Sequence, residues 1–84
     1  MSDTPSEINA AIISANLVAL HARLKLGLAM TTAASRAMTE DNQNLAMGSI
    51  IDLERIIPEC DALYRTILLL HRSRDMVVAE GGVA

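Results

Sequence analysis

A heptad rhythm runs along most of the chain and is interrupted once, by a polar stretch at residues 39–44. Apolar or small residues recur every three or four positions on both sides of that stretch. In the first segment they are Ile8, Ala15, Ala22 and Ala29, alternating with Ile12, Ala19, Leu26 and Ala33. In the second segment they are Ala46, Leu53, Cys60 and Ile67, alternating with Ile50, Ile57, Tyr64 and His71. A spacing near 3.5 residues predicts helices that pack against other helices.

The pattern predicts an all-α fold, an antiparallel helical hairpin that forms a single domain over residues 1–84. Thr4, Pro5 and Glu7 form a capping box with proline at the first helical position, so the long first helix should span about residues 5–38. A turn at 39–44 follows, with Thr39 or Asp41 as the next cap. The second helix should span about residues 45–79, and its glycine pair at 81–82 should leave a frayed tail at 80–84.

Pro58 lies inside the second helix, where it cannot donate a hydrogen bond to the carbonyl of Glu54. One reading is a kink within a single helix, and the other is a break that starts a third helix. The heptad register passes through Pro58 without a skip, which favours the kink.

The first helix has a second apolar row, nearly opposite its alanine-rich row. Its members are Ile13, Leu17, Leu20, Leu24 and Leu28. Polar residues, among them Asn9, Asn16 and Arg23, are expected on the flanks between the two rows. One neighbouring helix cannot cover both rows, so the leucine row is the predicted interface. We expect the hairpin to dimerise into a four-helix bundle or to pair with another helical protein. The alternative is a three-helix bundle, broken at Pro58, that covers both rows itself.

Composition narrows the possible classes of protein. The 84 residues include no Phe, no Trp and one Tyr, so the core must be thin and built from aliphatic side chains. A net charge of −3 argues against nonspecific binding to nucleic acid. The single cysteine excludes an intrachain disulfide. No signal peptide and no long uncharged apolar run is evident, so we expect a cytoplasmic protein without a membrane span.

Charged residues support the antiparallel pairing. Folding about the turn should bring Arg23 close to Asp52, Glu54 and Glu59. It should also bring Glu7 close to His71, Arg72 and Arg74. Within the second helix, Asp61 and Arg65 form a favourable pair four residues apart.

The sequence offers little for catalysis. The antiparallel fold should separate His21 from His71, so neither an acid–base pair nor a metal site is expected. The acidic neighbours of Cys60 disfavour a thiolate, so this cysteine is interpreted as a buried structural thiol. Tyr64 is predicted in the core. We therefore expect no enzyme, no cofactor and no metal.

The favoured function is a non-enzymatic protein–protein interaction module, such as a small adaptor, a regulator or a helper chaperone. The alternative is a small nucleic-acid-binding regulator with a basic patch near the C-terminal end of the second helix. That patch would consist of Arg65, His71, Arg72 and Arg74. It lacks the aromatic side chains on which bases usually stack.

Overall fold

The computed structural model describes the backbone of residues 5–83 and the side chains of residues 5–73. The chain folds into helix α1 (Pro5–Thr39), short helix α2 (Gln43–Ile50) and helix α3 (Leu53–Val83). Helix α1 packs along α3 and, near the turn, along α2. The fold is thus the predicted all-α hairpin, with α2 and α3 forming a bent second arm. The predicted cap Thr4 lies outside the described residues, and α3 continues past the predicted end near residue 79.

The turn between the arms spans only residues 40–42 and stops α1 by a Schellman arrangement. The amide of Asn42 donates to the carbonyl of Ala37 at 2.9 Å, and the amide of Asp41 donates to that of Met38 at 3.0 Å. Asp41 has a φ of 56°, in the left-handed region. Asn42 then caps α2, because its side chain accepts a hydrogen bond from the amide of Leu45 at 3.1 Å. The cap is therefore neither Thr39 nor Asp41.

The helices of the second arm are separated at residues 51–52, six residues before Pro58, so the alternative of a break at Pro58 is wrong. Pro58 lies within α3. Two features weaken the end of α2 instead. Gly48 has low helix propensity, and the hydroxyl of Ser49 donates to the carbonyl of Leu45 at 2.8 Å, a bond that often bends helices. Across the bend, the amides of Arg55 and Ile56 bond the carbonyl of Asp52 at 3.0 Å, so α3 restarts at once.

The hairpin is one helix layer thick. Its principal extents are 65 × 25 × 16 Å, and a single helix with its side chains is about 10–12 Å across. The radius of gyration is 19.1 Å, against about 12 Å for a compact domain of this length. The three-helix bundle, in which the chain covers both of its own apolar rows, is therefore wrong.

The core is correspondingly small. Among the described side chains, those that are buried and apolar are Ala37, Ala46 and Ile56. Ala37 and Ala46 come from the two helices that flank the turn, so this end of the hairpin is the most tightly closed. Gly27 faces Leu53 of α3, and a Cβ atom built there would lie 3.6 Å from Cδ2 of Leu53, an ordinary van der Waals distance, so an alanine would also fit.

We predict that Asp41→Gly stabilises the fold by about 0.5–1 kcal/mol, because glycine adopts a positive φ without the steric cost that other residues pay. Glu40→Gly is the matched control. It lies next to Asp41 without a positive φ, so it should not stabilise. The midpoint of urea unfolding, followed by circular dichroism at fixed protein concentration, measures both. Equal effects of the two substitutions would contradict this account of the turn.

We predict that Gly27→Ala also stabilises, by about 0.5–1 kcal/mol, from helix propensity together with an ordinary contact to Leu53. Gly48→Ala separates the two contributions, because a Cβ atom there has nothing within 4 Å and gains propensity alone. A loss of stability in Gly27→Ala, with a gain in Gly48→Ala, would show that the helices are closer at residue 27 than described.

Candidate functional site

The side of α1 that faces the second arm is not the one expected. The half-buried and buried residues of α1 are Asn9, Ile13, Asn16, Ala19, Leu20, Arg23, Gly27, Met30, Ala34 and Ala37. This line, here called the seam, contains the polar residues that were predicted on a solvated flank. Its last third carries small residues, which permit the close approach of α2 and α3.

Each polar residue of the seam has a partner. The side-chain amide of Asn9 donates to the backbone carbonyl of Leu70 at 3.4 Å. The side-chain amide of Asn16 donates to the backbone carbonyl of Ile12, in its own helix, at 2.8 Å. Arg23 Nε lies 3.1 Å from Oε1 of Glu59, one of the three carboxylates that were expected near Arg23. Among the described residues, every buried side-chain nitrogen or oxygen has a hydrogen-bond partner. The seam thus accommodates polar groups because they remain at its edges, where they are bonded and only half-buried.

The leucine row is consequently divided between the seam and the surface. Ile13 and Leu20 lie in the seam and are half-buried, whereas Leu17, Leu24 and Leu28 are exposed. The row therefore does not lie opposite the contact with the second arm. It flanks that contact on one side, and the alanine-rich row with Ile8, Ile12 and Leu26 flanks it on the other.

In the second arm, one of the two predicted registers is correct. Ala46, Leu53, Cys60 and Ile67 are buried or half-buried, as expected. The residues that pair with them in the seam are Ile56, Leu63 and Leu70. The predicted core residue Tyr64 is 53% exposed, and Ile57 and His71 are exposed as well. The observed row of Ile56, Leu63 and Leu70 is displaced by one residue from the predicted row of Ile57, Tyr64 and His71. The heptad count alone did not distinguish these two rows.

One broad side of the hairpin carries a continuous apolar surface, here called the leucine face. It consists of Leu17, Leu24, Leu28, Ile57 and Tyr64. Leu24, Leu28 and Ile57 line a shallow groove of about 430 Å³ between α1 and α3. They are 56%, 67% and 61% exposed, respectively. Leu17 and Tyr64 each lie seven residues from a groove residue and extend the same surface toward the free ends.

The opposite broad side is crossed by charges. Glu59 pairs there with Arg23 and also with Arg55, whose Nη1 lies 3.4 Å from Glu59 Oε1. These side chains are all about one third or more exposed, so the ion pairs add only a few tenths of a kcal/mol each. This side therefore combines charged groups with the exposed apolar residues Ile8, Ile12 and Leu26, whereas the groove on the leucine face is lined mainly by apolar side chains.

Arg65 and Arg72 of the predicted basic patch lie on the outer side of α3, whereas His71, seven residues after Tyr64, lies on the side of the leucine face. Arg65, His71 and Arg72 are exposed, while the side chain of Arg74 lies outside the described residues. Arg65 Nε is 2.9 Å from Oδ2 of Asp61, as predicted. Arg65 and Arg72 also border a shallow shelf with Tyr64, Leu68 and Leu69. Part of the positive charge of this patch is therefore already neutralised.

The groups considered for chemistry do not converge. His21 and His71 are both exposed, and Cys60 is a half-buried free thiol in the seam. Within the described part of the chain, no three His, Cys, Asp or Glu side chains are placed to hold a metal ion.

Helix α1 is long and apolar enough, by length and composition, to cross a membrane. The mean hydropathy of the qualifying window is 1.3, and none of it is buried within the fold. A single such helix near an N-terminus is weak support for a membrane span, because core helices and signal sequences pass the same test. The lack of buried residues in this part of α1 nevertheless shows that the second arm leaves much of its apolar surface uncovered.

Comparison of the chain with protein-family models, with curated proteins and with solved structures gives no match. The function is therefore argued from the residues and their geometry.

Proposed function

We propose that this chain is a non-enzymatic protein–protein interaction module that associates through its leucine face. The observation that supports the proposal is a hairpin one layer thick that exposes Leu24, Leu28 and Ile57 together on one broad side. Soluble domains are built from at least two packed layers, and exposed apolar patches of this kind usually mark an interface. A second hairpin laid on the leucine face supplies the missing layer and forms a four-helix bundle.

The surface area of the chain supports the same proposal. The chain exposes 6466 Å², whereas a compact protein of 9.0 kDa exposes about 4,900 Å². The difference of about 1,600 Å² exceeds the roughly 800 Å² that each partner buries in an interface of standard size. Association through one broad side therefore suffices to give the chain an ordinary ratio of surface to mass.

A membrane is a less suitable partner than a helical protein for the folded hairpin. The second arm lies beside α1 and brings exposed charged side chains to the same depth, among them Glu54, Arg55 and Asp61. Charged groups in the hydrocarbon layer cost several kcal/mol each unless they face a polar interior. We therefore propose a cytoplasmic protein whose apolar side is covered by protein.

The substitution Leu28→Asp tests the leucine face directly. Leu28 is 67% exposed, so the change removes little from the fold itself, but it places a carboxylate in the proposed interface. We predict that the wild type sediments as a dimer and that Leu28→Asp weakens association by at least about tenfold.

Leu26→Asp is the matched control, because Leu26 is 44% exposed and lies in the alanine-rich row, on the other side of the contact between the arms. This variant should keep the mass of the wild type. A wild type that is monomeric at high micromolar concentration would exclude self-association and leave only a different helical protein as partner. Leu20→Asp is not suitable, since Leu20 lies in the seam and its replacement would unfold the hairpin.

Nucleic-acid binding is the second candidate, and the exposure of Tyr64 is the observation that favours it. Tyr64 borders the same shelf as Arg65 and Arg72, so the patch does contain one aromatic ring on which a base can stack. If this candidate is correct, the protein should bind heparin and single-stranded RNA at low salt, and Arg65→Gln with Arg72→Gln should abolish that binding. Elution of the wild type without retention in 50 mM salt would exclude it, because contacts to phosphates are strongest at low ionic strength.

A further inference from the structure

We infer that two copies of the chain associate with their turns at the same end, so that α1 of each copy packs on α3 of the other. This inference rests on the proposed function and adds the identity of the partner and the geometry of the pair. Three features of the structure support it. They are the heights of residues along the two arms, the charges along the edges of the leucine face, and the sizes of the apolar side chains on that face.

Contacts between the arms fix which residues lie level with one another. Gly27 lies against Leu53, Arg23 pairs with Glu59, and Asn9 bonds Leu70. Residue numbers at the same height therefore add to about 80. On the leucine face this places Leu24 level with Ile57 and Leu17 level with Tyr64.

The two long edges of the leucine face carry opposite charge. On α1, His21 and Lys25 each precede a face leucine by three residues, so they lie on the outer edge of the face. On α3, Glu54 and Asp61 each precede Ile57 or Tyr64 by three residues and form the other edge. All four side chains are exposed. Lys25 lies at the same height along the hairpin as Glu54.

A twofold axis can relate two stacked hairpins in two ways. If it runs along the helices, both turns lie at one end and each α1 covers the α3 of the other copy. Lys25 then lies at the height of Glu54 of the other copy, and His21 lies near that of Asp61. If the axis runs across the helices, each α1 covers the other α1. The edge with Lys25 and His21 then lies against the same edge of the other copy. The edge with Glu54 and Asp61 likewise lies against its equivalent, so like charges meet.

Electrostatics favours the first arrangement, because opposite charges attract at the rim and like charges repel. The pair formed by Lys25 and Glu54 matters most. Asp61 already bonds Arg65 within its own helix, so its charge is partly neutralised. Since rim pairs are solvated, they select the orientation rather than supply most of the affinity.

Side-chain size on the leucine face agrees with this choice. With the turns at one end, Leu17 of one copy meets the larger Tyr64 of the other at a matching height. Leu24 meets Ile57, which is branched at Cβ instead of Cγ. This pairing places unlike shapes opposite each other, as interdigitated packing between layers requires.

The distance between the two turns tests the orientation. A nitroxide label is attached at Gln43→Cys in a Cys60→Ala background, because Gln43 is exposed at the start of α2. Electron–electron double resonance should give an intermolecular distance of about 20–30 Å, since neighbouring helices in a bundle lie about 10 Å apart. A distance of about 50 Å, the length of α1, would place the turns at opposite ends and overturn the inference while leaving association through the leucine face intact. A monomeric labelled chain whose unlabelled parent is also monomeric would overturn both.

Reversed charges give an independent test. In Lys25→Glu each homodimer gains two repelling pairs, so its dissociation constant should rise by about tenfold, and Glu54→Lys should behave in the same way. An equimolar mixture of the two variants should form a heterodimer at least as tight as the wild-type dimer, because both rim pairs become attractive again. Arg55→Glu, on the opposite broad side, should leave the dissociation constant unchanged. If each single variant dimerises as tightly as the wild type, α1 faces α1 and the inference is wrong. In that arrangement every homodimer already brings like charges together, and the mixed dimer would be tighter than the wild-type dimer.

Discussion

The structure depends on the close approach of the two arms at the turn. Small residues make it possible: Gly27, Ala34 and Ala37 line the last third of the seam, and Ala46 packs opposite them from α2. A hairpin this thin has few other means of holding together, because Ile56 is the one large apolar side chain that is fully buried among the described residues. The approach also fixes the rotation of α1. With the small residues turned inward, Leu24 and Leu28 must lie beside the contact rather than in it.

That rotation explains why the leucine face exists. An apolar side chain on a single helix layer has two stable environments, the seam or a surface covered by another molecule. The seam of α1 is occupied in its first two thirds by Asn9, Asn16 and Arg23, which leaves the larger leucines at the flank. Glu59 and Arg55 place charged groups on the other flank. The distribution of polar groups therefore leaves one broad side of the hairpin apolar and open.

The sequence was sufficient for the architecture and insufficient for the rotation of the helices. The hairpin follows from the heptad pattern and its polar interruption, and the pair of Asp61 with Arg65 follows from their spacing of four residues. Glu59 was one of three carboxylates expected near Arg23, and the sequence did not distinguish among them. The seam did not follow, because α1 has apolar or small residues on several sides and two neighbouring heptad registers score alike. Deciding between them requires the backbone separation at Gly27, which is a property of the assembled pair of helices. The bend was misplaced for a related reason. Pro58 is tolerated inside α3, and the weaker signals at Gly48 and Ser49 determine where the arm turns.

The strength of the contact between the arms changes along the hairpin. Near the turn, the Schellman hydrogen bonds and the packing of Ala37 against α2 hold the backbones together. Farther from the turn, the side-chain amide of Asn9 donates to the carbonyl of Leu70 at 3.4 Å, and that of Asn16 donates within its own helix. Backbone amide hydrogens should therefore exchange slowest beside the turn, where both helix ends are held by backbone hydrogen bonds and by buried alanines.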